Sequence, residues 1–281
     1  MRVLLTGATG FIGGAVAEAV AGAGHELWAL AHDDETVAAV AGRGWTPVAG
    51  DLRDAGRLAG VAAQVDAVIH AAIVAGDDAA AADTAAAHAF LRGLNGRGGV
   101  FVYTSGAWVL GSGPSHEASP LNPAALVAWR AGVEAAVRAA GPAVRGVVVR
   151  PGIAYGRGGG IPGMLARGEL PLIAPGTQRW PLVHVDDLAR LYVLALTAPA
   201  GTVLHGVGAT STMAELVDAA GAGASGTVDA NEARRRFGAF ADALMLDQQV
   251  ASEATRRLLG WRPAAPGPVE ELGSGSYAAA V

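Results

Sequence analysis

The stretch TGATGFIGG, Thr6 to Gly14, constrains this chain more than any other. It lies between the apolar run Val3–Thr6 and a helical pattern over Gly13–Ala23. A strand that passes at once into a helix through glycines spaced three apart sets a helix N-terminus over a pyrophosphate. Gly7 permits the tight turn, Gly10 lets backbone approach a phosphate, and Gly13 lets the helix pack closely on the strand. The amides of Phe11 and Ile12 then face the phosphates, with Thr9 in the same turn. A glycine triplet alone says little in a chain with 41 glycines. A strand before it and a helix after it make the signal specific.

The same alternation continues. Runs at Glu26–Ala31, Trp45–Ala49, Ala67–Ala71, Val100–Thr104 and Arg145–Val149 are rich in Val, Leu and Ile without polar alternation, as strands buried on both faces are. Helical patterns such as Asp77–Leu94 separate them. The expected fold class is α/β, a Rossmann-type doubly wound parallel sheet with a smaller C-terminal substrate lobe. After Pro151 the rhythm loosens into turns and short extended pieces, followed by helical patterns over Asp186–Leu196, Met213–Ala220, Asn231–Phe237 and Ser252–Leu259. This divides the chain into an NAD(P)-binding domain over 1–150 and a lobe over 151–281 interleaved with the sheet. The Pro/Gly/Ser/Ala-rich tail from about Pro263 is expected to be flexible.

Composition narrows the chemistry. The 281 residues include no cysteine, so disulfides, thiolate metal ligands and thiol catalysis are excluded. All 20 basic residues are arginine, which excludes Schiff-base chemistry through lysine. The formal charge of −5 disfavours nucleic acid as a partner. No run is long and apolar enough to span a bilayer, and no leader precedes the first strand, so the expectation is no membrane association and a cytoplasmic location. The seven histidines show no paired ligand spacing, so no metal is expected. The expected partner is a small-molecule substrate, with a homodimer as the candidate assembly.

Several stretches, in order, resemble the short-chain dehydrogenase/reductase superfamily, particularly its extended, NAD-dependent epimerase/dehydratase-like branch. Beside the glycine turn these are GDLRD (Gly50–Asp54), VIHAAI (Val68–Ile73), VYTSGAWVLG (Val102–Gly111), RPGIAYG (Arg150–Gly156) and WPLVHVDDLARLYVLAL (Trp180–Leu196). The resemblance implies that Asp51 and Leu52 contact the adenine, that Ala71 and Ala72 pack by the adenine ribose, and that Thr104 ends the active-site strand. It also implies that Pro151, Gly152 and Ile153 border the nicotinamide. In this family an acidic residue ending the second strand favours NAD. The matching residue here is Ala31, followed by His32, which could assist a 2′-phosphate. Asp33 and Asp34 come next, with helix capping as their ordinary role. NADP is favoured over NAD, and NAD stays open.

The resemblance also implies a Tyr-x-x-x-Lys pair on the helix after the fifth strand, with a Ser or Thr upstream. Within ALVAWRAGVE, Ala125 to Glu134, the Tyr position carries Leu126 and the Lys position Arg130, and the usual Ser/Thr position carries Gly106. Leu126 transfers no proton. A guanidinium stays charged, so Arg130 can bind ribose hydroxyls but cannot titrate, and an i,i+4 pair with Glu134 is an equal alternative. The groups left to take over catalysis are Ser105, as a polarising donor, and Tyr155, as a phenol after the nicotinamide loop, with Arg130 beside the cofactor. Trp108, Gln178 and Arg179 are the candidate substrate-binding residues, Arg179 for an anionic group. His184 and Asp186 read as structural. The leading expectation is an atypical NAD(P)-dependent oxidoreductase on a small carbonyl or alcohol, with a nonstandard proton relay. The alternatives are a non-redox dinucleotide or metabolite sensor or scaffold, and a nucleotide-sugar epimerase or dehydratase.

Overall fold

The structure is a computed structural model that describes residues 1–221 and 226–277. The chain divides into two compact units that it enters and leaves several times. Unit 1 comprises Met1–Ser105, Trp129–Val149 and Ala189–Leu204; unit 2 comprises Gly106–Ala128, Arg150–Leu188 and the chain from His205 onward. A single boundary at residue 150 therefore misses two exchanges. The loop after Ser105 belongs to unit 2, and the helix end and strand over 189–204 belong to unit 1.

Unit 1 alternates strands and helices: β1 (Arg2–Thr6), α1 (Phe11–Gly22), β2 (Glu26–Ala31), α2 (Asp34–Gly42), β3 (Thr46–Ala49), α3 (Ala55–Ala62), β4 (Ala67–His70), α4 (Ala79–Leu94) and β5 (Gly99–Thr104). Further on come β6 (Gly113–Ser115), α5 (Arg130–Arg138), β7 (Val144–Pro151), β8 (Ile153–Tyr155), α6 (Gly160–Ala166), β9 (Leu172–Ile173), β10 (Arg179–His184), α7 (Val185–Ala195) and β11 (Thr202–Gly206). The central sheet has seven strands in the order β11-β7-β5-β4-β1-β2-β3. Strands β1 to β5 and β7 pair in parallel, with Val3 beside both Leu27 and Ala67. This is the doubly wound α/β sheet expected from the alternation, and its order reverses at β1, where ligand-binding crevices of such sheets form. The all-apolar strands follow from burial on both faces: every residue of β4 is buried, and Leu4, Phe90, Phe101 and Val148 share one core.

Helix α3 carries its apolar residues Leu58, Val61 and Ala62 on one buried face, and Asp54 caps its start by accepting from the Arg57 amide at 2.9 Å. Gly93 lets α4 lie close on α3, since a Cβ there would stand 2.3 Å from the Ala59 carbonyl oxygen.

Unit 2 adds β12 (Ala209–Thr212), α8 (Met213–Ala219), β13 (Thr227–Val228), α9 (Ala230–Phe237), α10 (Ala239–Leu244), β14 (Gln248–Val250), α11 (Glu253–Leu259) and α12 (Pro268–Ser274). Its sheets are short: β8 pairs in parallel with β10, β10 runs antiparallel to β12, and two-stranded pairs form from β9 with β13 and β6 with β14. Trp180, Leu182, Leu216, Leu244 and Tyr277 fill its core. The segment after Pro263, expected to be a flexible tail, instead forms α12, and buried Tyr277 accepts the Gly156 amide at 2.7 Å and donates to the Gly159 carbonyl at 2.7 Å. Three aromatic or aliphatic residues, Pro268, Leu272 and Tyr277, anchor a stretch whose small-residue composition had pointed to disorder. Residues 278–281 lie outside the described residues.

Candidate dinucleotide site

The turn between β1 and α1 has the geometry its glycines promised. Gly7 adopts φ +78°, and a Cβ there would press at 3.1 Å on the backbone of Ala72. A Cβ on Gly13 would stand 2.0 Å from the Gly7 carbonyl oxygen, so only glycine allows α1 to start this close to the turn. Gly10 caps α1 without any side-chain hydrogen bond, and no acidic residue occupies the first turn. The early amides of α1 are thus left to an external acceptor, at the positive end of the helix dipole. Thr9, Gly10, Phe11, Ile12 and Gly13 line one wall of a groove of about 580 Å³ within unit 1.

The opposite walls come from three other strand ends. Leu30 lies near the end of β2 and His32 just follows it, Gly50, Asp51, Leu52 and Arg53 follow β3, and Ala71 to Ala75 follow β4. The structure therefore gathers His32, Asp51, Leu52, Ala71 and Ala72 with the glycine turn, as the sequence reading required. Leu30, Thr36, Gly50 and Arg53 also line it, and sequence reasoning missed them. The GDLRD signal could have pointed to Arg53. Its Nε and Nη2 donate to Asp78 at 2.6 and 3.1 Å, joining the loop after β3 to the start of α4. Asp33 caps α2 by accepting from the Thr36 amide at 2.7 Å, and the Thr36 side chain together with that amide holds its carboxyl below the usual range. His32 Nε2 sits 3.1 Å from Asp33 and is largely exposed.

Thr6 fixes the groove's inner edge. Its hydroxyl oxygen accepts the amides of Ala71 and Ala72, each at 3.1 Å, and contacts His70 Nδ1 at 2.7 Å. Sequence reasoning missed this, although Thr6 opens the very turn it singled out.

At the C-terminal end of β5 the residues stand differently from a Tyr-x-x-x-Lys helix. Ala125–Val127 is a tight i,i+3 turn, with the Val127 amide bonded to Ala124 at 2.9 Å, and α5 begins only at Arg130. The continuous helix expected over Ala125–Glu134 is absent: the i,i+3 turn ends at Val127, and Ala128 and Trp129 form a turn before α5. Arg130 donates to the carbonyl of Thr104, and its guanidinium lies 5.3 Å from the Trp129 ring centroid and 5.9 Å from that of Tyr103. Glu134 is buried on the same helix. The Thr104 hydroxyl shares a 2.6 Å bond with the buried Tyr192 hydroxyl, whose pKa burial pushes up. Ser105 is 6% exposed, and its hydroxyl has no hydrogen-bond partner among the described residues.

The remaining expected site residues belong to unit 2. Tyr155 is 3% exposed, donates its hydroxyl to the Pro266 carbonyl at 2.7 Å and meets the His184 ring edge-on at 5.2 Å. Burial pushes its phenol further from titration, with nearby Asp187 and Glu271 adding to the effect. A phenol so engaged packs inside unit 2. Arg179, expected to await an anionic substrate, grips Asp247 with Nε at 2.8 Å and Nη2 at 2.6 Å and is committed internally. Gln178 is buried, with its side-chain amide 3.2 Å from the Met213 sulfur. Trp108 stacks edge-on against Phe240 at 6.0 Å. Pro151, Gly152 and Ile153 are buried, and a Cβ on Gly152 would meet the Pro181 carbonyl at 2.6 Å. Among the described residues no group of His, Asp and Glu is arranged to hold a metal ion, and no helix is long and apolar enough to cross a membrane.

A doubly wound sheet with a glycine-cradled helix at its switch point defines a dinucleotide-fold protein. The chain belongs to the NAD dependent epimerase/dehydratase family, whose profile matches residues 3–205. An uncharacterized protein of the fission yeast Schizosaccharomyces pombe, C2A9.02, is 30% identical over 99% of this chain and 100% of its own. Among solved structures, DesIV, a dTDP-glucose 4,6-dehydratase from Streptomyces venezuelae with NAD and TYD bound, is similar at 26% identity and TM-score 0.79, covering 100% of this chain and 97% of that one. The human epimerase family protein SDR39U1 (isoform 2), solved with NADPH, shares the fold at 24% identity and TM-score 0.79 over 98% of this chain and 99% of its own.

Proposed function

We propose that the protein binds NADP or NAD in the unit 1 groove and acts as an oxidoreductase on a small carbonyl or alcohol, using a nonstandard proton relay. The observation that carries this reading is the cradle: a Cβ at Gly13 would collide with the turn, and α1 opens without a side-chain cap or an acidic first turn. Those features suit a diphosphate and little else. Membership of an NAD-dependent family, and the NAD in DesIV and the NADPH in SDR39U1, support the same assignment. Ala31 in place of an acidic strand-end residue, with His32 after it in the groove, favours NADP.

The bound nicotinamide would supply the hydride. The chain's own contribution would be to orient and polarise. Arg130 is a permanent donor beside Thr104, suited to hydroxyl groups of a ribose. Ser105 holds an uncommitted hydroxyl, suited to polarising a substrate oxygen, and water would deliver the proton that Leu126 cannot. A second reading, a dinucleotide sensor or scaffold, gains from the engagement of Tyr155 and Arg179, which removes two groups from the chemistry. The likeness to DesIV leaves a nucleotide-sugar dehydratase or epimerase as a third, weakened by the missing tyrosine at residue 126.

Titration of the purified protein with NADPH and NADH, followed by turnover with a panel of aldehydes, ketones and alcohols, separates these readings. Binding with turnover supports the oxidoreductase. Binding without turnover on any substrate favours the sensor. Absence of binding to either nucleotide at millimolar concentration overturns the assignment.

A further inference from the structure

Helix α4 buries four alanines, Phe90 and Leu94, yet it also buries one acid among them: Asp83, 3% exposed. A buried carboxylate is costly unless donors surround it. Here they do. The Trp129 indole donates to Asp83 Oδ2 at 2.9 Å, and the Tyr103 hydroxyl donates to the same oxygen at 2.6 Å. His70 Nε2 lies 3.2 Å from Oδ1, a close polar contact outside full hydrogen-bond geometry.

The protons of this cluster can be assigned by counting. The Thr6 oxygen already accepts two amides, so its single hydroxyl proton goes to His70 Nδ1. A neutral His70 ring then carries its proton on Nε2, facing Asp83. An indole N–H can only donate, so Oδ2 is an acceptor, and the phenol beside it donates as well. The indole, phenol and imidazole hydrogens thus all face the carboxylate, which is the arrangement an anion requires. Burial alone would raise the Asp83 pKa, but the close contact with His70, the hydrogen bond from Tyr103 and the charge of Arg130 hold it below the ordinary value.

We propose that Asp83 is the positioning residue of this site, a buried anion that ties the groove wall at Ala71 and Ala72 to the start of α5, from which Arg130 projects. One arm runs through His70 and Thr6 to the amides of Ala71 and Ala72. The other runs through Tyr103 and Trp129, the two rings beside which the Arg130 guanidinium rests. The proposal rests on the dinucleotide reading above: if the groove holds the adenosine end and Arg130 the far ribose, Asp83 sets the spacing between two contacts on one ligand. A replacement that kept the volume but lost the charge would turn an amide donor toward donors that already fill the space.

The test is a double-mutant cycle on NADPH affinity, read by fluorescence titration of the full chain. Asp83→Asn and Arg130→Ala are each expected to weaken binding about tenfold, and the double variant by no more than about threefold beyond either, because the second substitution finds the contact already lost. Adding Trp129→Phe to Asp83→Asn should recover several-fold of the affinity by removing the unmatched donor. In the ¹⁵N-histidine spectrum His70 should show the Nε2–H tautomer in the unsubstituted protein and lose it in Asp83→Asn, a readout that loss of packing alone would not move. If Asp83→Asn does not fold, Trp129→Phe and Tyr103→Phe replace it; each removes one donor at nearly constant volume, and each should weaken NADPH binding about threefold. Additive losses in the cycle, unchanged affinity in the substituted proteins, or an Nδ1–H tautomer overturns the proposal while leaving the dinucleotide reading intact. An unsubstituted protein that binds neither NADPH nor NADH overturns both.

Discussion

Tyr155 donates its hydroxyl to the carbonyl of Pro266, 111 residues further along the chain, at 2.7 Å. The bond pins the polypeptide after α11 to the strand β8 of the same unit. It also assigns Tyr155 a structural task where a proton donor had been expected.

Tyr155→Phe should therefore leave dinucleotide binding and any turnover within twofold of the unsubstituted protein. It should lower the stability of the fold by about 1 kcal/mol, the usual net worth of one such bond. Urea denaturation followed by circular dichroism measures the second quantity, and steady-state kinetics the first. A turnover reduced a hundredfold would return the phenol to the mechanism.

Gly13→Ala should abolish dinucleotide binding. Its Cβ would have to stand 2.0 Å from the Gly7 carbonyl, so α1 must shift away from the turn whose amides face the groove. The measurement is calorimetric titration with NADPH beside a far-ultraviolet spectrum, which should show the helices retained.

Ser105→Ala separates positioning from chemistry. The hydroxyl is buried and unpartnered among the described residues, so its removal should cost the fold almost nothing. If it polarises a substrate oxygen, kcat should fall by about 10² while NADPH affinity stays constant, the scale of losing one donor to a developing oxyanion. Pre-steady-state hydride transfer on an active carbonyl substrate checks this; an unchanged rate removes Ser105 from the site.

Acid should loosen unit 2 through Asp247. The hydrogen bonds from the Arg179 side chain and amide lower its pKa from an ordinary 3.8 to about 2. A depressed carboxyl pKa contributes stability that is fully present above its unfolded value and is lost as pH falls through the folded one. The contribution should thus be constant above pH ~5 and disappear between pH ~4 and ~2. Both side chains are partly exposed, so solvent screening keeps it under about 1 kcal/mol. Asp247→Asn should flatten that part of the stability profile in urea titrations at stepped pH, and an identical slope in both proteins would show that the pair does not contribute.

His32→Ala should raise the NADPH dissociation constant several-fold more than that for NADH if the imidazole meets a 2′-phosphate. Equal effects on both nucleotides would assign His32 to the groove wall alone.

The strands of unit 1 and the glycine turn were legible because buried parallel strands and a glycine-spaced helix start are local patterns. The groove residues Asp51, Leu52, Ala71 and Ala72 followed from short motifs placed at strand ends. What stayed hidden depends on long-range partners. Nothing in the run around Tyr155 announces Pro266, and nothing near Arg179 announces Asp247. The i,i+3 turn at Ala125–Val127 was hidden by alanines and a leucine that favour a helix throughout. Asp83 was readable only in hindsight: a single acid on the buried side of an alanine helix needs partners, and they come from β4, β5 and the residue before α5.

Strand β11 closes the edge of the seven-stranded sheet beside β7, yet it is supplied by residues 202–206, after the chain has left unit 1 and returned to it. During synthesis on a ribosome the first five strands can assemble early, but β7 keeps a bare hydrogen-bonding edge until some fifty further residues have emerged. Unpaired edges of this kind invite pairing with the wrong chain. A nascent polypeptide halted near residue 188 should therefore be the aggregation-prone form, and the few residues of β11 act as its late protection.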